Sequence, residues 1–507
     1  MTIDDNLFQS VCQVARKAAL LQSAADALEW DERTGMPPAA GEYRAEQVSA
    51  LRSTVHTLRT ANEYGEILQR LAEQLGGLDP ADDHVTTVRE LHRDFQRERK
   101  LPLELVSRLS AMTVRGQQVW DRARREDSFA LFKDTLTEIV DLKREAGERM
   151  AEGSDKTPYE ALLDEYEPDA RISHLGPVFA DLKGRLSELI SQVSDAPRQP
   201  DVSLLRQSFP VDAQRQLSQA VAEAVGFDFS SGRLDETSHP FCTTLGPDDC
   251  RILTRYETNW LPSGLYGTLH EAGHGLYEQG LRGDWFGLPP GSFVSLGIHE
   301  SQSRLWENQV GRSRAFVRWA MPLLKQTFAG ALDDADVEQV YFAVNQVRPS
   351  LIRVEADEAT YNLHILIRFE LEQGLMSGEL KVADLPEAWN AQYSESLGIE
   401  PPSAADGVLQ DVHWSAGLIG YFPTYTLGNL AAAQLFDAIG QSIGDVEGLI
   451  EKGEFGPILD WLRENIHQHG RCYSGDRLVE KATGKPLSSE PLLNYLSKKL
   501  TPLYGLH

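Results

Sequence analysis

The chain has 507 residues and carries 76 acidic against 49 basic side chains, which gives a formal net charge of −27. An excess of negative charge of this size disfavours binding to phosphate backbones and to anionic membrane surfaces. The sequence has neither an export signal nor an apolar run of roughly 18 residues, so we expect no nucleic-acid partner, no membrane span and a cytoplasmic location.

Helical periodicity dominates the first half of the chain. Apolar residues recur there at spacings of three and four, which is typical of helices that pack one face on a core. The stripes are Val48, Leu51, Val55 and Leu58, then Phe129, Phe132, Leu136 and Ile139, then Phe179, Leu182, Leu186, Leu189, Ile190 and Val193. No Gly/Ser or Pro tract of linker length interrupts the chain, and the densest loop is 194–201. We therefore predict one mainly α-helical unit that spans residues 1–507.

Strand-like sequence is scarce, and the best candidates are 250–256 and 292–298. Cys242 and Cys250 flank a turn just before the metal-binding motif described next. Their spacing fits no usual zinc site, so we expect reduced, partly buried thiols. The chain has only four cysteines, a density far below that of a disulfide scaffold and consistent with a reducing compartment.

Residues 270–274 read His-Glu-Ala-Gly-His. On a helix, His270 and His274 lie on one face, where both imidazoles can bind one Zn²⁺ at about 2.0–2.1 Å. Glu271 is one position round the helix, within reach of a water molecule beside the metal but badly placed to bind the metal itself. A carboxylate base next to such a water is what amide hydrolysis requires. A pair of core or surface histidines is the alternative interpretation.

A third ligand is expected from a second helix a few tens of residues downstream. The turn-forming residues at 283–284 and 289–290 end the first helix and let the chain reverse its direction. Glu300 and Glu307 then lie on one side of the segment that follows. Spacing favours Glu300 over Glu307. Glu300 could instead be a solvated carboxylate paired with Arg304 at i+4.

Six further segments match one family in order along the chain. They are Trp30 to Pro37, Leu162 to Pro168, His239 to Phe241, Ile352 to Asp357, Gly407 to Trp414 and Gly420 to Gly428. Together with the His-Glu-Ala-Gly-His motif and Ile298 to Gln302, they make the chain resemble the M32 metallocarboxypeptidases, typified by carboxypeptidase Taq. One departure is visible, because the Asp-x-Arg-x-Thr pattern is followed only as far as Arg251, with Leu253 at the Thr position and Thr254 one place late.

The resemblance implies two helical lobes around a deep active-site cleft, a small sheet near the metal, and a homodimer. It also implies one divalent metal ion per chain, with Zn²⁺ expected and Co²⁺ or Mn²⁺ as alternatives, held by His270, His274 and Glu300. In that setting Glu271 acts as general base.

The resemblance places two further polar residues in the site. His413 and Tyr425 would donate hydrogen bonds to the oxyanion that forms during peptide hydrolysis. Both residues also admit an ordinary interpretation as polar tips of a packed core, because Trp414 and Phe422 lie beside them in sequence.

A carboxypeptidase must recognise a free α-carboxylate, and the planar guanidinium of Arg can bind one through two parallel hydrogen bonds. Arg353 is the candidate for that role, with His239 as a second substrate-binding residue implied by the resemblance. Arg353 could instead pair with Asp357 at i+4, which would leave Arg251 or Arg348 to bind the substrate.

The sequence therefore predicts a metal-dependent carboxypeptidase that acts on peptides with a free C-terminus. One alternative keeps the same chemistry in an oligopeptidase that cuts internal bonds. The other is a catalytically silent peptide-binding scaffold, against which the intact Glu271 argues.

Overall fold

The computed structural model describes residues 3–506, which form a mainly α-helical molecule with one small sheet. The N-terminal half of this range holds helices α1 Asp5–Thr34, α2 Gly41–Thr60, α3 Asn62–Ala72, α4 Asp83–Lys100, α5 Leu103–Arg125, α6 Phe129–Ala151, α7 Pro158–Leu163, α8 Ile172–Ser194 and α9 Val211–Val225. The predicted apolar stripes lie in α2, α6 and α8. All six stripe residues of α8 are buried, which confirms the helical prediction for that segment.

The second half contains the remaining helices. They are α10 Leu261–Gly280, α11 Leu296–Arg304, α12 Arg314–Thr327, α13 Val337–Val344, α14 Thr360–Ser377, α15 Leu385–Leu397, α16 Pro423–Ile443, α17 Val446–Glu451, α18 Gly456–Asn465, α19 Gly475–Thr483 and α20 Glu490–Tyr504. A π-helical turn, Leu305–Val310, continues directly from α11. None of the helices in residues 3–506 combines the length and the apolar composition that a membrane crossing requires.

The sheet has three strands, β1 Gly232–Glu236, β2 Phe241–Gly246 and β3 Asp249–Thr254, in the order β1-β3-β2. Strand β1 runs parallel to β3, whereas β2 runs antiparallel to it and forms one edge of the sheet. Strand β3 confirms the prediction for 250–256. The prediction of a strand at 292–298 is wrong, because Ser295 accepts a hydrogen bond from the backbone N–H of Ile298 and caps α11, which begins at Leu296.

The two largest hydrophobic cores flank a cleft. The larger core runs through the body from α6 to α20. A smaller one joins α1, α3 and α4 and includes Phe8, Val11, Leu68, Leu71, Val88 and Leu288. Helix α1 also packs against β2, so the N-terminal helices close one side of the cleft in front of the sheet. This arrangement confirms the mainly helical fold with two lobes, a deep cleft and a small sheet beside the motif helix.

Candidate metal centre and cleft

His270, His274 and Glu300 converge on one point in the cleft. The Oε2 atom of Glu300 lies 3.7 Å from Nε2 of His270 and 3.5 Å from Nε2 of His274. One ligand atom from each residue can be chosen so that all lie within 4.8 Å of one another. Ligand atoms of a tetrahedral zinc ion lie roughly 3.4 Å apart, because each bond is about 2.1 Å long. The donor set therefore fits a divalent metal ion, and we call these residues the metal centre.

Glycines let α10 and α16 approach α11 closely enough to build this centre. A Cβ atom on Gly273 would lie 2.6 Å from the carbonyl oxygen of Gln302 in α11. A Cβ atom on Gly428 of α16 would lie 2.5 Å from Cγ of Glu300. Any larger residue at either position would push α11 away from its neighbour. Part of the metal-binding motif is thus a packing requirement as well as a chemical one.

Glu307 contacts His270 at the ring nitrogen that faces away from Glu300. Its Oε2 atom lies 2.9 Å from Nδ1 of His270, so the Nδ1–H group donates to the carboxylate and the Nε2 lone pair faces Glu300. Glu307 also contacts Arg304 at 3.2 Å and Arg312 at 3.2 Å. Against the effect of burial, Arg304 and His270 lower the pKa of Glu307 to about 2, which keeps it an ionised acceptor.

Glu300 is buried and ionised, and the expected pair with Arg304 is present without being solvated. The Nε atom of Arg304 donates to Oε1 of Glu300 at 2.7 Å, and Glu300 is only 6% exposed. Although burial opposes it, the guanidinium of Arg304 and the ring of His270 hold the pKa of Glu300 far below its ordinary range. The ion pair and the ligand role are thus compatible, because Arg304 uses Oε1 while Oε2 faces the histidines.

His274 has a histidine as its orienting partner. The Nδ1 atoms of His274 and His299 lie 2.5 Å apart, and Nε2 of His299 lies 2.8 Å from Oε1 of Glu278. If His299 donates its proton to Glu278, its Nδ1 atom accepts the proton of His274, which leaves Nε2 of His274 free for a metal. Burial, followed by the neighbouring His299, lowers the pKa of His274 to about 3, so its ring is neutral. This chain of contacts was not found from the sequence, where His299 was only part of a matched segment.

Glu271 is a buried carboxyl group in the wall of the cleft. Its side chain is buried, and its Oε2 atom has no hydrogen-bond partner among residues 3–506. Burial raises the pKa of Glu271 to about 7, with His270 opposing the shift. An unpartnered buried carboxylate oxygen is costly unless a ligand or a water molecule completes it.

A cleft of about 970 Å³ opens in front of these residues. Its walls are the inner face of α1, the edge strand β2, and the start of α16 with the residues just before it, including Tyr421 and Tyr425. His239 lies exposed in the loop between β1 and β2 and is not among the cleft-lining residues, although Phe241 is. The structure thus brings Glu271, the metal centre and Tyr425 together, and leaves His239 outside.

Arg353 belongs to a buried cluster, with Arg368 and Asp411, that we call the arginine cluster. Asp411 accepts from Nε of Arg353 at 2.9 Å and from Nε of Arg368 at 2.6 Å. The alternative pair of Arg353 with Asp357 is wrong. Asp357 instead accepts from the backbone N–H groups of Arg348, Ala359 and Thr360, the last two at the start of α14.

His413 and Tyr425 meet beside this cluster. Nε2 of His413 lies 3.3 Å from the Tyr425 hydroxyl, and the guanidinium of Arg353 lies 5.3 Å from the centre of the Tyr425 ring. Burial lowers the pKa of His413 to about 4, so the ring is neutral at neutral pH and can donate through one N–H group. His413 also packs on Phe422, with ring centres 4.5 Å apart. One face of the His413 ring is therefore part of a packed core, as the alternative interpretation expected.

Tyr361 contacts both Arg353 and Arg304. It was not singled out from the sequence. Its hydroxyl accepts from Arg353 at 3.0 Å, and the guanidinium of Arg304 lies 4.5 Å from the centre of its ring. Tyr361 stands edge-on to Tyr425, with ring centres 5.9 Å apart. Only the position of Tyr361 on the first turn of α14, a few residues after Arg353, could have drawn attention to it.

Arg251, which lies where the sequence departs from the Asp-x-Arg-x-Thr pattern, binds other side chains of the protein. Arg251 makes two hydrogen bonds of 2.9 Å to Asp249, and its guanidinium lies 4.3 Å from the centre of the Trp30 ring. Leu253 and Thr254 are both fully buried, so neither side chain is available to a ligand in the cleft. Arg251 is therefore a weaker candidate for carboxylate binding than Arg353.

Comparison with known proteins gives one consistent result. A family model described as carboxypeptidase Taq (M32) metallopeptidase matches residues 10–500. Thermostable carboxypeptidase 1 of Thermus thermophilus is 44% identical over 505 residues, which cover 98% of this chain and 99% of that protein. Carboxypeptidase 1 of Bacillus subtilis is 36% identical, with 94% and 95% covered. The crystal structure of an M32 carboxypeptidase from Deinococcus radiodurans superposes with a TM-score of 0.95 at 38% identity, covering 99% of this chain and all of that one.

Proposed function

The chain belongs to the carboxypeptidase Taq (M32) family of metallopeptidases and is a metallocarboxypeptidase, and we propose how its residues divide the reaction. His270, His274 and Glu300 hold one divalent ion, and Glu271 is the general base. Arg353 binds the free C-terminal carboxylate of the peptide, while His413 and Tyr425 stabilise the oxyanion. The observation that carries the proposal is the convergence of the three ligand atoms beside the unpartnered oxygen of Glu271.

The metal is expected to be Zn²⁺, with Co²⁺ or Mn²⁺ as alternatives. Nitrogen and carboxylate donors in this number are typical of catalytic zinc sites that keep one position open for water or substrate. When bound, such an ion lowers the pKa of a water molecule and polarises the scissile carbonyl group. Glu307 supports its binding by fixing His270, and His299 with Glu278 fixes His274.

Glu271 moves the proton. As the water attacks the peptide carbonyl, the carboxylate of Glu271 accepts its proton, and the resulting acid then donates that proton to the departing amine. A carboxyl group with a pKa near 7 suits both steps at neutral pH, because it can hold or release the proton at little cost.

His413 and Tyr425 are placed to donate to the oxyanion. A neutral His413 has one N–H group, and the Tyr425 hydroxyl lies 3.3 Å from Nε2 of that ring. Loss of one such donor typically costs about 2.7–4 kcal/mol of transition-state stabilisation. Tyr425 lines the cleft directly, which makes it the first of the two to meet a substrate.

Arg353 supplies selectivity for a free C-terminus. Its orientation is fixed by Asp411 on one side and by the Tyr361 hydroxyl on the other. Two cations share the carboxylate of Asp411, so the arginine cluster retains positive charge that a substrate carboxylate can neutralise.

Chelation tests the proposal. An N-blocked dipeptide with a free carboxylate is the substrate, and the product amino acid is measured with and without prolonged dialysis against a chelator. We expect activity to disappear with the metal and to return with Zn²⁺ or Co²⁺. Full activity in protein shown by elemental analysis to lack metal would contradict the metal centre, and loaded protein that binds peptide without cleaving it would favour the scaffold alternative.

We further propose that residues 1–507 act as one peptidase unit, in a cytoplasmic homodimer. The family model spans almost the same range, and the site draws on segments from α10 to α16. Light scattering of the purified protein would test the dimer, with a monomer mass as the contradicting result.

A further inference from the structure

A pair of free cysteines lies in the wall of the cleft. Cys242 is on β2 and Cys250 is on β3, and their Sγ atoms are 3.8 Å apart. In the antiparallel register, Cys242 faces Ile252 and Cys250 faces Thr244, so the two thiols are diagonal neighbours on one face of the sheet. The pair is thus a close cross-strand dithiol, separated by seven residues and a tight connection.

The distance between the thiols can close by a small strand movement. A disulfide bond is about 2.05 Å long, so the sulfur atoms must approach by roughly 1.8 Å. Strand β2 is paired on one side only, and a register irregularity between Thr244 and Gly246 already interrupts its ladder with β3. An edge strand with an interrupted ladder moves more easily than a strand held on both sides.

The same pair touches the helix that carries the metal ligands. The Sγ atom of Cys250 lies 3.9 Å from the carbonyl oxygen of Gly275, the residue after His274. Cys242 and Cys250 both line the cleft together with His270 and Glu271. Cys242 is partly exposed there, which gives a small reagent access, whereas Cys250 is buried.

We propose that Cys242 and Cys250 are a redox modification site, at which a peroxide forms an intramolecular disulfide that slows peptide hydrolysis. The thiol of Cys242 loses its proton as its sulfur attacks one peroxide oxygen. The O–O bond breaks, the sulfur becomes a sulfenic acid, and the departing hydroxide takes up the thiol proton to form water. The thiol of Cys250 then attacks that sulfur and expels a second water. Two thiols are oxidised by two electrons, and one hydrogen peroxide is reduced to two molecules of water.

The disulfide would act by displacing β2, which forms one wall of the cleft. A shift of about 1 Å in the position of a bound substrate can cost on the order of 100-fold in rate. We expect a smaller effect, about tenfold in kcat/KM, because the ligands on α10 stay where they are. Reduction should restore the rate, since no atom is lost from the protein. The effect on rate rests on the proposed function, whereas formation of the disulfide does not.

The test treats metal-loaded full-length enzyme with hydrogen peroxide, blocks the remaining thiols, and maps peptides without reduction. We expect a Cys242–Cys250 cross-link with the loss of two hydrogen atoms, together with the fall in kcat/KM on the N-blocked dipeptide. A phosphine reductant, which binds zinc less strongly than a dithiol, should reverse both changes.

Two variants separate this pair from the other cysteines. The double variant Cys12→Ala/Cys472→Ala keeps the pair and should respond to peroxide as the wild type does. Cys242→Ala lacks one partner, so peroxide should leave its rate at the value of its own reduced form. The proposal is overturned by oxidation that gives no 242–250 cross-link, by a cross-link that leaves kcat/KM unchanged, or by equal inhibition of Cys242→Ala. Inactivity of the reduced wild type would instead count against the proposed function, and the peptide map would still report on the disulfide.

Discussion

The metal centre and the arginine cluster are both buried, yet they carry opposite charge. Around the metal centre, carboxylates outnumber the guanidinium groups that neutralise them. The carboxylates are Glu271, Glu278, Glu300 and Glu307, and the guanidinium groups are those of Arg304 and Arg312. In the arginine cluster two guanidinium groups share the single carboxylate of Asp411. Each region therefore lacks a partner of one sign, a cation in the first and an anion in the second.

This difference suggests how one cleft selects a terminal peptide bond. Tyr361 contacts Arg304 on one side and Arg353 on the other, so the two regions are neighbours in one packed structure. In the proposed reaction, a metal ion completes the first region, and the carboxylate of a peptide completes the second. The bond that is cut is then the one that lies between them, which is the bond nearest the C-terminus.

The largest effect is expected from a change at the metal centre that leaves the ligands intact. Glu271→Gln removes the carboxylate that accepts the proton, so kcat should fall on the order of 10²–10⁴-fold. Metal content should stay near one ion per chain, because Glu271 is not a ligand. The measurement is kcat on the N-blocked dipeptide, with metal analysis of the same sample.

The control for this change is Glu223→Gln, since Glu223 is exposed on α9. It should keep wild-type kcat. Loss of metal from Glu271→Gln would move Glu271 into the ligand set, and retained turnover would mean that another group, such as Glu307, acts as the base.

The next effect is expected at the arginine cluster. Arg353→Ala should lower kcat/KM for free-acid peptides by a factor that corresponds to a loss of about 2–5 kcal/mol in transition-state stabilisation. Any cleavage of the matching C-terminal amides should change little. Arg353→Lys should recover part of the loss, because Lys restores the charge without the planar pair of donors. Arg122→Ala, at an exposed position on α5, is the control. Equal loss with acid and amide would make Arg353 a structural partner of Asp411 only.

A third prediction concerns the support of α11. Glu167 accepts from the backbone N–H of Gly297 at 3.0 Å, and burial raises the pKa of Glu167 from 4.5 to about 7. The folded protein thus holds a proton there that the unfolded chain releases near pH 4.5. The contribution of Glu167 to the free energy of unfolding is therefore fully present below pH 4.5 and is lost as the pH rises through 7. The loss is about 3 kcal/mol, because each unit of pKa shift corresponds to about 1.4 kcal/mol.

Glu167→Gln removes this titration. Relative to the wild type, its free energy of unfolding should therefore rise by about that amount between pH 4.5 and pH 7.5. Chemical denaturation at several pH values measures the difference. The exposed Glu165→Gln should follow the wild type, and parallel curves for Glu167→Gln and wild type would contradict the assignment.

The smallest effect is expected from the residue that orients His270. Glu307→Gln should weaken metal binding by about 10–100-fold, because the acceptor of the His270 proton loses its charge. Competition with a chelator of known affinity measures the change, and Glu338→Gln, at an exposed position on α13, is the control. Unchanged affinity would mean that Glu307 serves only its contacts with Arg304 and Arg312.

The two regions also differ in how far the sequence predicted them. His270, Glu271 and His274 are contiguous on one helix, so their spacing alone predicts a metal site. For the third ligand, the spacing favoured Glu300 over Glu307 but did not exclude Glu307, since both lie on one side of the same segment. Their different roles depend on which carboxylate meets the Nε2 atoms and which meets Nδ1 of His270, and only the packing of α11 against α10 decides that.

The arginine cluster was much less predictable. Asp411 lies 58 residues from Arg353 in sequence, and no local pattern joins them. The local pattern that did exist, Asp357 four residues after Arg353, was misleading because Asp357 binds backbone N–H groups at the start of α14 instead. The strand predicted at 292–298 failed for a related reason, since a single capping residue, Ser295, starts a helix within an apolar run.

The most direct measurement is a crystal structure of Glu271→Gln loaded with Zn²⁺ and an uncut N-blocked dipeptide. We expect one zinc ion bound by Nε2 of both histidines and by Glu300, with the scissile carbonyl group facing it. The terminal carboxylate should lie within hydrogen-bond distance of Arg353. A metal held by other residues, or a carboxylate bound at Arg251 or in open solvent with Arg353 still paired only to Asp411, would contradict the account.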